Sequence, residues 1–188
     1  MSVELLETSL SRDRERAAEL LDAEVPPGWP DIPEIPAMRR AQLVADPDLR
    51  PWLLRSMRER AEGRFIGHVG FHTGPGQDYL EEYLPGRIEF GYAVFASHRR
   101  RGYAREAALG LMNWALRSQG ITRVVSISPR NDPSQRLARS LGFVHIGRHL
   151  DEVDGEEDVP GLEITTRHEL RSGRFHPILD EEAGGRDD

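Results

Sequence analysis

The sequence predicts a single domain of mixed α/β or α+β class, with a central, mostly antiparallel sheet flanked by helices. Its 188 residues fit one domain of ordinary size. Strand-like segments come in a run between residues 52 and 95, and a strand–helix–strand–helix order follows before two closing strands. We therefore expect one domain over residues 1–170 with about seven strands and about four helices. A polar, flexible tail is expected over residues 171–188.

Two residue types are missing from the composition. The chain has no cysteine, and all 25 of its basic residues are arginine. Without cysteine, disulfides, thiolate metal sites and a cysteine nucleophile are excluded. A net charge of −7 argues against a general nucleic-acid-binding protein. The arginine, alanine, glycine and proline content is typical of a GC-rich bacterial genome.

Hydropathy predicts no membrane segment. No apolar run approaches the ~20 residues that span a bilayer. The N-terminal residues 1–16 carry charges where a signal peptide needs an apolar core. We therefore expect a cytoplasmic protein without membrane partners.

The N-terminal region predicts two helices separated by a loop. Apolar residues fall near one face over residues 10–24, with Ser11 as the N-cap. Five prolines between Val25 and Pro36 exclude a regular helix or central strand there, so an extended loop is expected. A short helix over residues 38–45 ends before Pro47.

Strands follow. Residues 52–60 and 64–73 predict a hairpin with its turn at Glu62-Gly63, and residues 74–76 break the second strand. Residues 87–95 predict a further strand. Its apolar side chains share one face: Ile88, Phe90, Tyr92 and Val94.

The C-terminal half alternates helix and strand. A helix is expected over residues 102–119, with Gly120 just past its end. Asp132-Pro133 is typical of a helix start, and Gly142 of its stop. The expected strands are 123–128, 143–150 and 162–170.

The junction between the strand ending at Phe95 and the helix opening at Gly102 favours phosphate binding. A helix N-terminus presents unpaired N–H groups and a positive dipole end. Gly102 and the small Ala104 allow close approach of a pyrophosphate, and Arg99 to Arg101 add positive charge. The alternative for the arginines is a solvated loop. Neither the Walker pattern nor the GxGxxG dinucleotide pattern occurs here.

These residues resemble a known signature. Arg99-x-x-Gly102-x-Ala104, between a strand and a long helix, is similar to the acetyl-CoA motif of the GNAT acetyltransferases. Asn131-Asp132-Pro133-Ser134, leading to Leu141-Gly142-Phe143, resembles the second half of that fold's core. The segment EFGYAVFASHRRRGYAREAA most resembles the RimJ/RimL branch, the ribosomal-protein N-terminal acetyltransferases. The resemblance covers roughly residues 50–170.

The resemblance implies acetyl-CoA as cosubstrate, inserted between two splayed parallel strands, here 87–95 and 123–128. It implies direct acetyl transfer to a primary amine in a ternary complex, with a backbone N–H near Val94 or Phe95 holding the oxyanion. The missing cysteine excludes an acetyl-cysteine intermediate. The implied cofactor-binding residues are Val94, Phe95, Arg99, Arg100, Arg101, Gly102, Tyr103, Ala104 and Asn131.

Two residues are candidates for the chemistry. Glu89 matches a position where the family often carries an acidic general base; the alternative is a polar residue on a half-exposed strand, and Glu34 is a weaker rival. Ser134 matches a serine of the Rim-type branch that could bond the thioester sulfur, or it merely lies in the first helical turn. Ala138 stands where many members carry a tyrosine acid.

The histidine pairs and an acidic segment have more than one interpretation. His68 and His72, like His145 and His149, are four strand residues apart, about 13 Å, too far for one ion, so no metal is expected. His68 and His72 share a strand face and either line the acceptor cleft or are half-exposed. Residues 151–158 contain six acids; they form a solvated hairpin loop or an acidic rim that steers cationic amines.

Two function classes remain from the sequence. The first is an acetyl-CoA-dependent N-acetyltransferase acting on a small-molecule or peptide N-terminal amine, with a homodimer possible. The second is a non-catalytic acyl-CoA-binding or regulatory module, supported by Ala138. A nucleic-acid contact through the arginines is disfavoured by the acidic balance.

Overall fold

The computed structural model describes residues 1–30, 32–76, 86–126, 132–151 and 155–163. Within these ranges the helices are α1 (Val3–Ser11), α2 (Arg14–Leu21), α3 (Glu34–Ala45), α4 (Tyr103–Gln119) and α5 (Asp132–Ser140). The strands are β1 (Arg55–Arg58), β2 (Phe65–Phe71), β3 (Ile88–Val94), β4 (Arg123–Val125), β5 (Val144–Asp151) and β6 (Gly155–Glu163). None of the described helices is both long and apolar enough to cross a membrane.

The strands form one open, mixed sheet in the order β1-β2-β3-β4-β6-β5. Every neighbouring pair is antiparallel except β3 and β4, which run parallel. Among the described residues this parallel pairing joins Ile88 with Val124 and Glu89 with Val125, and no described residue of β4 pairs with β3 beyond Glu89. The predicted fold class, a mostly antiparallel sheet with one splayed parallel pair, is confirmed. The described chain has six strands and five α-helices where about seven and about four were expected.

Helices α4 and α5 cover one face of the sheet. The apolar residues Ile88, Phe90 and Val94 of β3 pack in one cluster with Ala108, Leu111 and other α4 residues. As predicted, α4 ends at Gly120, which adopts a left-handed conformation with φ of 68°. Burying this face removes the largest apolar area from water and fixes the N-terminus of α4 beside the end of β3.

Helices α1, α2 and α3 cover the opposite face. Leu6 of α1 and Leu43 of α3 pack with Leu53 in one cluster. Phe65 and Phe95 meet edge to face with their ring centroids 5.2 Å apart, in a second cluster that includes Trp29. The side chain of Phe95 therefore serves this core.

The prediction of a single helix over residues 10–24 with Ser11 as N-cap is wrong. Two helices occupy this region, and Ser11 is the last residue of α1. Arg12 turns left-handed, with φ of 57°, and its N–H bonds back to α1. The Asp13 carboxylate then caps α2 by accepting the N–H of Arg16 at 3.0 Å. A local carboxylate cap competes with continued helix, so the chain turns between the two apolar segments.

Two further boundaries differ from prediction. Helix α3 begins at Glu34, inside the expected loop. Pro36 does not prevent this, because it lies in the first turn, where a residue needs no N–H partner within the helix. Strand β6 begins at Gly155 and pairs with β5 up to Asp151, so the acidic segment expected as a loop is largely strand. The predicted strand residues 164–170 and the tail 171–188 lie outside the described residues.

Candidate active site

A cleft of about 540 Å³ opens on the α4 side of the sheet, where β3 and β4 part. One wall is β3 from Phe90 to Val94. The N-terminus of α4 and the first turns of α5 form the others. The residues that line it include Phe90, Gly91, Tyr92, Ala93, Val94, His98, Arg99, Arg100, Gly102, Tyr103, Ala104, Ser126, Ser134 and Leu137.

The N-terminus of α4 has no side-chain cap. Gly102 has a φ of 88° and precedes the helix without any side-chain cap. Arg100 is also left-handed, with φ of 64°. Left-handed residues before a helix turn successive N–H groups toward one side, and the uncapped first turn leaves its donors for a ligand.

Arg99 is held against the end of β3. Its Nε donates to the Val94 carbonyl at 2.8 Å, while the residue remains exposed at the cleft wall. This bond fixes the guanidinium between the strand edge and the start of α4. The charged Arg99 therefore lines the same cleft as the N-terminus of α4.

The free edge of β3 supplies backbone donors to the gap. The N–H of Phe95 donates to the Ile66 carbonyl at 3.0 Å, and the Glu89 carbonyl accepts from the His72 N–H at 2.9 Å. Because an antiparallel strand turns alternate residues to each neighbour, the N–H groups of Tyr92 and Val94 point away from β2. They face the gap that β4 leaves open.

Most of the predicted cofactor-binding residues come together in this cleft. Those at its wall are Val94, Arg99, Arg100, Gly102, Tyr103 and Ala104, with the catalytic candidate Ser134 beside them. Phe95 lies outside it, with its N–H occupied by β2. Arg101 is not among the residues that line the cleft. Asn131 lies outside the described residues.

Tyr103 connects the cleft to the β1–β2 hairpin. Its hydroxyl donates to Oε1 of Glu59. This hydrogen bond to Glu59 is the main reason that the pKa of Tyr103 is raised, because it holds the proton on the phenol; partial burial adds to the effect. The bond secures the start of α4 to the turn after β1.

Glu89 lies on the opposite face of the sheet from the cleft and is paired with a histidine. Its carboxylate Oε2 is 2.9 Å from Nδ1 of His72, with the side chains of Glu89 and His72 3% and 35% exposed. Glu89 is 2% exposed, so the alternative interpretation, a polar residue on a half-exposed strand, does not hold. Of the two paired side chains, the imidazole of His72 is the one that solvent reaches.

Sequence reasoning missed this pairing and the cleft residues Tyr92, His98 and Ser126. His98 is buried, with Nδ1 2.9 Å from the Ser97 hydroxyl. One signal was available, because His72 and Glu89 both fall on polar faces of neighbouring predicted strands. Ala138 is buried in the α4–α5 core, so no phenol occupies its position. The described residues contain no group of three metal-ligand side chains.

Three comparisons relate the chain to known proteins. Residues 7–144 match the family described as "Acetyltransferase (GNAT) domain". The protein "Uncharacterized N-acetyltransferase YjdG" of Bacillus subtilis (strain 168) is 36% identical over 80 residues, which is 42% of this chain and 44% of that protein. The chain thus spans less than half the length of this curated relative.

Solved structures share the architecture. The ribosomal-protein-S5-alanine acetyltransferase of Vibrio fischeri is 18% identical with a TM-score of 0.59, over 87% of this chain and 90% of that chain. The Microcin C7 self immunity acetyltransferase MccE, solved with acetyl-CoA and AMP, is 16% identical with a TM-score of 0.56, over 87% and 89%. At these identities the two structures show a common fold. With a family match over most of its length and this splayed sheet, the chain belongs to the GNAT acetyltransferase family.

Proposed function

We propose that the protein is an acetyl-CoA-dependent N-acetyltransferase that moves an acetyl group to a primary amine by direct transfer in a ternary complex. One observation carries the proposal. A single cleft runs from the uncapped N-terminus of α4 to the part of β3 where the N–H groups of Tyr92 and Val94 point away from β2. It offers an anion site and an oxyanion site along one path, as a phosphate-bearing thioester requires.

The residues of the cleft fit acetyl-CoA. The first-turn N–H groups of α4 and the guanidinium groups of Arg99 and Arg100 are the donors for its phosphates, since the chain has no lysine. The apolar wall formed by Phe90, Tyr92 and Leu137 suits the pantetheine arm. The uncapped start at Gly102 leaves first-turn N–H groups without a side-chain acceptor, and a bound phosphate would supply one.

The proposed chemistry joins the amine nitrogen to the thioester carbonyl carbon. The N–H of Val94 donates to the carbonyl oxygen as negative charge develops there. The carbon–sulfur bond breaks with its electron pair on sulfur, where the Ser134 hydroxyl donates a hydrogen bond. The hydrogen-bonded pair of Glu89 and His72 supplies the base that removes the amine proton. With Ala138 in place of a tyrosine, the thiolate takes its proton from water.

The acceptor enters from the α1–α3 face in this proposal, opposite the cofactor. A RimJ/RimL-type acceptor, the free amino terminus of a peptide, is favoured by the sequence resemblance. The fold shared with a ribosomal-protein-S5-alanine acetyltransferase supports it. An acidic chain with a net charge of −7 also favours a cationic acceptor.

The test is acetyl-CoA binding by calorimetry together with CoA release. The acceptors are spermidine, a monoamine and a short peptide with a free alanine amino terminus. Gly102→Val is expected to weaken acetyl-CoA binding by roughly tenfold or more, because a β-branched residue at φ of 88° costs about 1–3 kcal/mol and moves the N–H groups. Unchanged affinity in this variant would remove the anion site from the proposal.

Gly120→Val is the matched control for this variant. Gly120 ends the same helix, has φ of 68°, and like Gly102 has no atom within 4 Å of an added Cβ. Both variants should lose stability through backbone strain. Weakened acetyl-CoA binding is expected for Gly102→Val alone.

A second candidate function is a non-catalytic acyl-CoA-binding module. The buried Ala138, which leaves no acid on α5 at that position, is the observation that favours it. Tight acetyl-CoA binding without CoA release for any of the three acceptors would establish this alternative in place of the enzyme.

A further inference from the structure

We propose that His72 is the proton acceptor of the transfer reaction and that Glu89 is its positioning residue. This inference rests on the proposed function and deepens it, because it assigns the base to a residue outside the family-type acidic position. The carboxylate of Glu89 is 3% exposed, so it has almost no surface for an incoming amine. The imidazole of His72 is 35% exposed and bonded to that carboxylate.

The hydrogen bond between the two side chains selects the useful tautomer. Nδ1 of His72 lies 2.9 Å from Oε2 of Glu89. The carboxylate accepts a hydrogen bond from Nδ1–H, so the other ring nitrogen, Nε2, carries the lone pair. Glu89 also stabilises the imidazolium that forms when Nε2 is protonated.

The imidazole reaches the gap because residue 91 is glycine. A Cβ on Gly91 would lie 2.7 Å from Nε2 of His72, so the ring rests directly over this residue. Gly91 is two residues past the last β3–β4 pair and lines the cleft. The ring nitrogen therefore lies where the strands have parted, on the face opposite α4.

The surroundings hold His72 in place from two elements. The Arg39 guanidinium and the Gln42 amide of α3 both donate to the His72 carbonyl, at 2.7 and 3.0 Å. Arg39 is buried. Two charged groups therefore contact His72: the Glu89 carboxylate on β3 and the Arg39 guanidinium on α3.

The proton path balances with one bridging water. Gly91 and Val94 are about 10 Å apart along the strand, which separates Nε2 from the oxyanion donor by more than one hydrogen bond. As the amine nitrogen bonds to the carbonyl carbon, its proton passes to the water, and the water gives a proton to Nε2. The imidazolium later releases that proton to solvent.

The experiment uses His72→Ala with and without added imidazole. CoA release is measured with spermidine and with the alanine peptide. We expect kcat to fall by about 10²-fold or more with acetyl-CoA affinity unchanged, and imidazole to restore activity in proportion to its concentration. His145→Ala, which removes an exposed histidine from β5, should keep wild-type activity. A purely structural role for His72 would not be rescued by free imidazole.

Two variants keep the histidine. Gly91→Ala should displace the ring and lower kcat, since its Cβ would overlap Nε2. Glu89→Gln should lower kcat and shift the ring nitrogens of His72 in ¹⁵N NMR spectra, because the Nδ1–H tautomer loses its carboxylate. An unchanged ¹⁵N spectrum in this variant would refute the role of Glu89.

The outcomes separate the two proposals. Turnover by the wild-type chain with equal turnover by His72→Ala, or a folded but slow His72→Ala that imidazole leaves slow, overturns the assignment of His72 alone. Acetyl-CoA binding without wild-type turnover of any acceptor overturns the proposed transfer reaction, and this assignment with it.

Discussion

Tyr103 lines the cleft and bonds Glu59 after β1, so it joins the cleft to the edge of the sheet. Its hydroxyl bonds Glu59, and the pKa of Tyr103 is raised chiefly by that bond. A raised folded-state pKa means that the contact stabilises the fold fully below pH 10, the ordinary value for tyrosine. The contribution is lost as the pH rises through the folded-state pKa.

Urea unfolding of the wild type and Tyr103→Phe between pH 8 and pH 11.5 tests this. The wild type should be more stable by a constant amount up to about pH 10, and the difference should shrink above it. The chain has no lysine or cysteine, so its four tyrosines are the side chains that titrate in this window. An equal difference at every pH would contradict the role of the phenolic proton.

The motif that contains Gly102 shows which features of the cleft can be predicted from residue spacing and which cannot. Arg99, Gly102 and Ala104, which the motif groups by their spacing, lie at one cleft wall. The reason expected for Gly102 was close approach of a ligand. The structure adds a backbone reason, a φ of 88°. Such an angle depends on the turn before the helix, which no residue spacing encodes.

At the scale of elements, the corrected boundary between α1 and α2 makes a prediction. Asp13→Ala should lower the free energy of unfolding by about 1 kcal/mol, because the carboxylate caps the N–H of Arg16. Ser11→Ala should change it much less, since Ser11 ends α1 rather than capping a helix. Thermal unfolding of both variants compares them. A larger loss of unfolding free energy in Ser11→Ala than in Asp13→Ala would contradict this boundary and favour a single helix.

Helix α3 makes a second element-scale prediction through two adjacent arginines. Arg39 is 4% exposed and bonds the His72 carbonyl, whereas Arg40 forms an exposed ion pair with Glu7 at 2.7 Å. Arg39→Met should cost about 1.5–3 kcal/mol of unfolding free energy. Arg40→Met should cost under about 1 kcal/mol. Equal losses in urea unfolding would show that α3 is not anchored through Arg39.

Long, strongly patterned elements were the ones predictable from sequence. The strand and helix around the motif, β3 and α4, lie within one residue of expectation. The periodic pattern of apolar residues in β3 and α4 is long enough to outweigh the local cap and turn signals that could end each element early. The N-terminal helices were misjudged because one carboxylate cap and one tolerated proline decide their ends. Those are local bonds that hydrophobic periodicity does not report.

The pairing of His72 with Glu89 illustrates the other limit. Both residues fall on polar faces of their predicted strands, yet their contact depends on the register between β2 and β3. A long connection separates these strands, and a shift of one residue would turn Glu89 to the other face. The register is fixed by packing of the whole sheet, so it became visible only in the structure.

At the scale of the whole molecule, the net charge of −7 predicts how acceptor use depends on salt. Attraction between an acidic protein and a cationic acceptor is screened as ionic strength rises. At saturating acetyl-CoA, kcat/KM for spermidine should fall more steeply between 25 and 500 mM NaCl than kcat/KM for a monoamine. Equal slopes would contradict electrostatic steering of the acceptor.

The short seam between β3 and β4 has a consequence for the lifetime of the protein. Two pairs of described residues join these strands, and the proposed cosubstrate lies along β3 beyond them. A ligand that binds the folded chain alone adds to its stability, by about 2.7 kcal/mol at a concentration 100 times Kd. Cells rich in acetyl-CoA would then degrade this protein more slowly than starved cells. Through the short pairing of β3 with β4, the cellular concentration of this protein would then depend on the concentration of acetyl-CoA.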